Sequence, residues 1–98
     1  GVIVVFHDPD LDRTTDGSGP LHELDFATLR RLDAGHHFTR DGRDFPYRGH
    51  GVRVSTLEEV LRAFPGVPIN MEIKYSDPPI AAETVQVLRA CGAEGRAV

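Results

Sequence analysis

Three side chains in this sequence have the types needed to act together on a phosphate ester: His7, Glu72 and Lys74. Histidine exchanges its proton near neutral pH, which suits it to general acid–base catalysis. A glutamate carboxylate binds hard divalent cations, and a lysine ammonium neutralises phosphate charge. Together these residue types are typical of metal-assisted phosphoryl chemistry.

Two predicted strands would position these side chains. Residues 2–6 form an apolar run rich in β-branched residues, typical of a strand covered on both faces, and His7 follows directly. Residues 69–74 form the second strand, and Glu72 and Lys74 share one of its faces. A central strand tolerates such groups only where they meet a ligand, a metal or each other. We therefore expect the three side chains to reach the same rim of a sheet.

The same residues also have plainer interpretations that the pattern leaves open. A histidine at a strand end can simply bond a neighbouring loop, and Glu72 and Lys74 can pair with each other at an exposed sheet edge. Residues 13–15 can serve only to fasten a turn through bonds from side chain to backbone. The acids of residues 8–12 lack the downstream spacing of a calcium loop. The other four histidines are interpreted as surface residues, and Cys91 as a buried structural thiol.

Three helices are predicted around these strands. They begin at Asp25 or Leu24, at the Thr56 cap and at about Pro79, and they end before Gly35, Pro65 and Gly92. The second is the clearest, because Thr56 and Glu59 have the spacing of a capping box and the apolar residues that follow fall on one helical face. Residues 36–53 have no clear periodicity, and residues 96–98 resemble the approach to another strand.

The order of elements favours an α/β fold. Strands that alternate with helices imply a parallel sheet with covering helices. A complete (β/α)8 barrel needs about 250 residues, so a chain of this length supplies roughly a third of one. From the pattern alone, a small open α/β sheet is the competing architecture.

Composition and charge narrow the class of protein further. A chain of 98 residues allows one domain at most, and an apolar content of 40% argues against disorder. The net charge of -4 argues against a nucleic-acid partner, and no apolar run approaches the roughly 20 residues that span a bilayer. The single cysteine excludes an internal disulfide and a cysteine-based zinc site, which indicates a domain of a reducing compartment or a piece of a larger protein. The compartment stays open, and the cytoplasm is favoured over export. Oligomeric state has no signature in the sequence.

Four segments resemble the glycerophosphodiester phosphodiesterase family in their order and separation. They are HDPDLDRTTDGSG at 7–19, LDAG at 32–35, STLEEVL at 55–61 and MEIK at 71–74. The resemblance implies a partial (β/α)8 TIM barrel of the phospholipase C-like phosphodiesterase type. It also implies a small insertion after the second strand of the family's barrel, which corresponds here to residues 9–53 of a 1–98 domain fragment.

The resemblance further implies an activity. Family members hydrolyse small-molecule glycerophosphodiesters to an alcohol and glycerol 3-phosphate, a reaction of lipid and glycerol metabolism, with two histidines and a divalent cation, Ca²⁺ or Mg²⁺. On this pattern His7 is one catalytic histidine, Glu72 is a metal ligand and Lys74 is the lysine near the substrate phosphate. The cation and Lys74 would stabilise charge on the non-bridging oxygens.

The chain departs from the family pattern at its start. The family's His-Arg-Gly and Glu-x-Asp motifs would lie before Gly1, and the Glu-x-Asp spelling at residues 23–25 is better explained by helix capping. The chain thus resembles an internal fragment with one catalytic histidine and one of three metal carboxylates, and the isolated fragment is expected to be inactive. The alternatives are a non-catalytic phosphate-binding or interaction module that reuses the barrel segment, and a cyclic-phosphate-forming phospholipase of the same fold.

Overall fold

A computed structural model describes residues 1–75 and 79–98, which form two compact units. The first unit comprises Gly1–Val5 and Ser55–Val98, and the second comprises Phe6–Val54. The helices are α1 (Phe26–Leu29), α2 (Leu57–Ala63) and α3 (Ala81–Ala90), with 3₁₀ turns at Leu21–Glu23 and Glu94–Arg96. Among the described residues, none of the helices combines the length and apolarity needed to cross a bilayer.

Helix α2 of the first unit begins with the capping box that the sequence predicts. The Thr56 hydroxyl accepts a hydrogen bond from the Glu59 amide at 3.0 Å, and the Glu59 carboxylate accepts one from the Thr56 amide at 2.8 Å. Two amides that have no partner within the helix are thereby satisfied. The helix ends at Ala63 with Phe64 as its C-cap, and Gly66 then takes a positive φ of 75° that favours glycine.

Helix α3 packs its predicted apolar stripe onto the core of the same unit. That core consists of Leu57, Leu61 and Ala93, and partly buried residues of the stripe pack against it. The helix begins slightly later than predicted, because the first helical residue is Ala81. Cys91 is half-buried and packs against this core, so the structural part of its interpretation is confirmed, while its burial is only partial.

Arg96 closes the carboxyl end of α2. Its guanidinium donates hydrogen bonds to the carbonyl oxygens of Leu61 at 2.7 Å, Phe64 at 3.0 Å and Val67 at 3.0 Å. Carbonyls at the end of a helix lack partners within it, and a positive charge there is favourable. The interaction joins residues that are about thirty positions apart in the sequence.

The predicted strands are reduced to single bridges in the described part of the chain. Val4 forms an antiparallel bridge with Thr56, and Ile69 forms a parallel bridge with Ala97. Around Ile69 the backbone hydrogen bonds measure 2.8–2.9 Å, so the parallel pairing expected from the alternation is present locally. A strand needs a ladder of such bonds with a neighbour, and the described residues supply only these short pairings.

The second unit opens with a tight loop that is fastened by Thr15. The Thr15 side chain is fully buried, donates to the Leu11 carbonyl at 2.8 Å and accepts from the Gly17 amide at 3.0 Å. Leu11 is also buried and anchors the loop. The plainer interpretation of residues 13–15 is therefore confirmed for Thr15.

Helix α1 is shorter than the sequence predicts. The Asp25 carboxylate caps it by accepting a hydrogen bond from the Thr28 amide at 2.8 Å, as expected from the capping interpretation of residues 23–25. The helix ends at Leu29, so the expected stop before Gly35 is wrong.

Asp33 lies where the sequence predicts a further helical turn, and its side chain makes hydrogen bonds with the backbone there instead. Its nearly buried carboxylate accepts hydrogen bonds from the Gly35 and Gly49 amides, both at 2.9 Å, and its own amide donates to Asp16. The amides of Gly49 and Gly35 hold the pKa of this carboxyl below its ordinary value. Aspartate that bonds local backbone in this way competes with helix formation.

Gly35 lies where a side chain has no room. A Cβ at this position would lie 2.6 Å from the Tyr47 carbonyl oxygen and 2.9 Å from the Tyr47 Cβ.

We expect Gly35→Ala to lower the free energy of unfolding by about 3 kcal/mol, because the backbone must shift. Denaturant unfolding measures the loss. The control is Gly95→Ala, whose Cβ would have no atom within 4 Å and which we expect to change stability by less than about 0.5 kcal/mol. Equal stabilities of the two variants would contradict the prediction.

Candidate active site

His7 follows the apolar run of residues 2–6 and presents its ring to solvent. Its side chain is 76% exposed, and Nδ1 lies 2.8 Å from Oδ1 of Asp8. The two ring nitrogens of an imidazole point in different directions, so engagement of Nδ1 leaves Nε2 to meet a ligand. This geometry suits a histidine that exchanges protons with a bound molecule.

Asp8 lies between His7 and Arg13 and bonds both. Arg13 donates from Nε to Oδ2 at 2.7 Å and from Nη2 to Oδ1 at 2.9 Å, a bidentate pair. Hydrogen bonds from Arg13, and then from His7, hold the pKa of the Asp8 carboxyl well below its usual range. Sequence reasoning missed this arrangement, because it assigned residues 13–15 only to the turn. The available signal was an acid beside the histidine with an arginine five residues later.

Glu72 and Lys74 form an ion pair in the first unit. Lys74 Nζ lies 2.7 Å from Glu72 Oε2, which agrees with their predicted position on one face of an extended segment. The plainer interpretation, mutual pairing, is thus present. The Glu72 side chain is 73% exposed and that of Lys74 is 38% exposed. Exposed pairs contribute at most about 1 kcal/mol, so a ligand can replace this contact at small cost.

The described residues fit only part of a cation site. Glu72 offers the oxygen ligands that Ca²⁺ and Mg²⁺ prefer, but one carboxylate is far fewer than the roughly six ligands they take. Within residues 1–75 and 79–98, no group of three or more His, Cys, Asp or Glu side chains is arranged to hold a metal ion. Glu72 is therefore suited to be one ligand of such a cation, and the remaining ligands would come from water or from other parts of the protein.

The three predicted site residues belong to different units. His7 lies in Phe6–Val54, whereas Glu72 and Lys74 lie in Ser55–Val98. Glu72 and Lys74 are adjacent as predicted. That both meet His7 at a common rim stays a prediction.

The remaining histidines divide into two kinds. His22, His37 and His50 are exposed, as the sequence suggests. His36 is half-buried, with 33% of its side chain exposed and Nδ1 3.9 Å from Oδ2 of Asp33, so it lies at the surface but is less open than the other three. An open cleft of about 310 Å³ in the first unit is lined by residues of α2 and α3 and by Ile3, and none of the three predicted site residues lines it.

Comparison with known proteins agrees with the motifs. The model of the glycerophosphoryl diester phosphodiesterase family matches residues 1–93. Glycerophosphodiester phosphodiesterase from Bacillus subtilis is 38% identical over 82 residues, which cover 80% of this chain and 27% of that protein.

Two solved structures resemble the chain closely. One is the glycerophosphoryl diester phosphodiesterase domain of an uncharacterized protein from Mycobacterium tuberculosis, with a TM-score of 0.84 and 34% identity over 98% of this chain and 35% of that one. The other is glycerophosphodiester phosphodiesterase from Agrobacterium tumefaciens, with a TM-score of 0.82 and 33% identity over 99% of this chain and 38% of that one. Domains of this kind are TIM barrels. The chain spans about a third of the length of its curated relatives from Mycobacterium tuberculosis.

Proposed function

The chain belongs to the glycerophosphoryl diester phosphodiesterase family, and on this premise we propose that it forms part of an enzyme that hydrolyses glycerophosphodiesters to an alcohol and glycerol 3-phosphate. The observation that carries the proposal is the exposed imidazole of His7, held at Nδ1 by Asp8. An imidazole fixed in this way can exchange a proton at Nε2 with a bound phosphodiester. The names of the relatives from Bacillus subtilis and Agrobacterium tumefaciens support the same reaction.

His7 and Lys74 have different roles in the proposed reaction. A hydroxyl of the substrate's glycerol attacks phosphorus as a base removes its proton, and an acid gives a proton to the alcohol that leaves, so that a cyclic phosphate forms. Water then opens this ring, with the base and the acid in exchanged roles, and glycerol 3-phosphate results. His7 performs one of these two transfers. The Lys74 ammonium neutralises charge on the non-bridging phosphoryl oxygens, after phosphate replaces Glu72 as its partner.

The proposed cofactor is a divalent cation, Ca²⁺ or Mg²⁺, with Glu72 as one ligand. Support comes from the exposed carboxylate of Glu72, from its neighbouring lysine and from the family to which the chain belongs. When bound, such a cation withdraws electron density from phosphoryl oxygens.

The proposed architecture is part of a (β/α)8 barrel with residues 9–53 as an insertion. The TM-score of 0.84 to a domain of the family supports the barrel, as does the parallel bridge between Ile69 and Ala97. The second compact unit, Phe6–Val54, encloses the proposed insertion and contains its own buried residues, including Leu11 and Leu29.

Turnover of glycerophosphocholine tests the proposed function. We expect the protein expressed from its complete open reading frame to release glycerol 3-phosphate, to lose this activity in a chelator and to regain it with Ca²⁺ or Mg²⁺. We expect the 98 residues alone to be inactive, because they contain one of the two histidines and one of the three metal carboxylates that the resemblance implies.

Other outcomes of this assay would favour one of the alternative functions. Binding of glycerol 3-phosphate without turnover by the complete protein would favour a phosphate-binding module. Release of a cyclic phosphate as the end product, without glycerol 3-phosphate, would favour a phospholipase reaction. Full turnover by the 98 residues alone would contradict the need for further catalytic groups.

A further inference from the structure

The contact between His7 and Asp8 determines where the imidazole carries its proton. A neutral imidazole has one N–H donor and one acceptor nitrogen, and an ionised carboxylate only accepts. Because Oδ1 of Asp8 lies 2.8 Å from Nδ1 of His7, a hydrogen bond between them places the proton on Nδ1. The lone pair of the neutral ring is then on Nε2.

Arg13 fixes the carboxylate that makes this contact. Its guanidinium bonds both oxygens of Asp8, and Oδ1 accepts from Arg13 and His7 together. Rotation of the Asp8 carboxylate away from His7 would break the bidentate pair with Arg13 as well. Only 20% of the Asp8 side chain is exposed, compared with 65% for Arg13, so water competes weakly for its oxygens.

Resting on the proposed function, we propose that Asp8 is a positioning residue for His7: its carboxylate, held by Arg13, selects the Nδ1–H tautomer and presents Nε2 to the proton that moves between enzyme and substrate. If His7 is the base, Nε2 takes the proton of the attacking hydroxyl; if it is the acid, Nε2 gives a proton to the leaving oxygen. An aspartate that orients a catalytic imidazole in this way is familiar from Ser-His-Asp enzymes, where asparagine at that position allows the wrong tautomer.

A purely structural role for Asp8 is the competing explanation, and Asp12 offers a matched control. Asp12 lies in the same loop and accepts a hydrogen bond from the Gly19 amide at 3.0 Å, so its carboxylate fastens the backbone of the loop. Asp8→Asn and Asp12→Asn remove the same charge from the same loop. A positioning role predicts that only the first changes the state of His7.

The first measurement is the tautomer of His7, read from the nitrogen chemical shifts of its side chain. It uses protein expressed from its complete open reading frame at about pH 8.5, above the ordinary imidazole pKa. We expect a protonated Nδ1 in the unaltered protein and in Asp12→Asn. In Asp8→Asn, the introduced side-chain amide can donate to Nδ1, so we expect the population to move toward Nε2–H. A protonated Nε2 in the unaltered protein, or no change in Asp8→Asn, would overturn the proposal.

The second measurement is steady-state hydrolysis of glycerophosphocholine by the same variants. Partners that orient metal-bound histidines are typically worth about 10- to 100-fold, and we expect Asp8→Asn to lower kcat by a similar factor with KM nearly unchanged. The loss in buried triads is larger, about 10⁴-fold, but His7 is exposed to water. We expect Asp12→Asn to keep kcat within about threefold of the unaltered protein, and equal losses in both variants would overturn the proposal.

The positioning of His7 by Asp8 can still be tested if Asp8→Asn does not fold or if the unaltered protein is inactive. If Asp8→Asn does not fold, Arg13→Gln replaces it: the freed carboxylate should then give a mixture of tautomers, and an unchanged spectrum contradicts the proposed support from Arg13. If the unaltered protein hydrolyses no glycerophosphodiester, the proposed function fails, whereas the nitrogen spectrum still supports or overturns the positioning of His7 by Asp8.

Discussion

Replacement of His7 by glutamine is expected to lower kcat for glycerophosphodiester hydrolysis by about 10²- to 10⁴-fold, the usual contribution of a positioned acid or base. Glutamine retains the size and polarity of the side chain but cannot exchange a proton near neutral pH. KM should change little, because the loss concerns proton transfer and not binding. Steady-state kinetics of the protein expressed from its complete open reading frame provide the measurement.

His50→Gln is the matched control for this variant. His50 is an exposed histidine of the same unit and carries no proposed role. Its replacement should leave kcat within about threefold of the unaltered protein. A His7→Gln protein that is folded and as active as His50→Gln would remove His7 from the reaction.

Glu72→Gln is expected to weaken binding of the divalent cation by at least about 100-fold, because even groups that only support a metal ligand are worth 10- to 100-fold. The amide keeps one oxygen but loses the negative charge that a hard cation requires. Lys74 also loses its ion-pair partner, which lies 2.7 Å away. Calorimetric titration with Ca²⁺ and with Mg²⁺ measures the affinity directly, and hydrolysis at several cation concentrations gives an independent comparison.

Glu58→Gln provides the control for this second prediction. Glu58 is an exposed carboxylate of the same unit whose ion pair with Arg62 measures 2.9 Å, so both variants remove one charge and break one pair. We expect cation binding by Glu58→Gln to match that of the unaltered protein. Equal affinities in the two variants would exclude Glu72 as a ligand.

The helices of the first unit could be predicted because their signals are local. The capping box at Thr56 and Glu59 is complete within four residues, and it forms as expected. The apolar stripe of α3 repeats with the helical period and packs on Leu57 and Leu61. Interactions of this kind depend on neighbours in sequence, so the sequence alone contains most of the information.

Features that depend on partners distant in sequence were predicted less well. Residues 2–6 have strand composition, but a strand is stabilised by the strands beside it, and among the described residues this segment has one bridge, at Val4. Asp33 follows the end of α1 by four residues and accepts a hydrogen bond from the amide of Gly49, sixteen residues away, which no local pattern reveals. The link from Arg13 through Asp8 to His7 depends on side-chain rotamers, so the sequence contained its residues without showing their connection.

The carboxylate of Asp33 has a consequence for how this protein can vary. It binds the amides at both ends of the segment 35–49 and so closes that segment at its base. A chain anchored at its two ends tolerates insertions well, since doubling the length of a closed loop costs only about 0.6 kcal/mol. Relatives can therefore carry a longer, shorter or differently composed segment here while the remainder of the unit keeps its shape. The anchored segment is the natural place for evolutionary divergence.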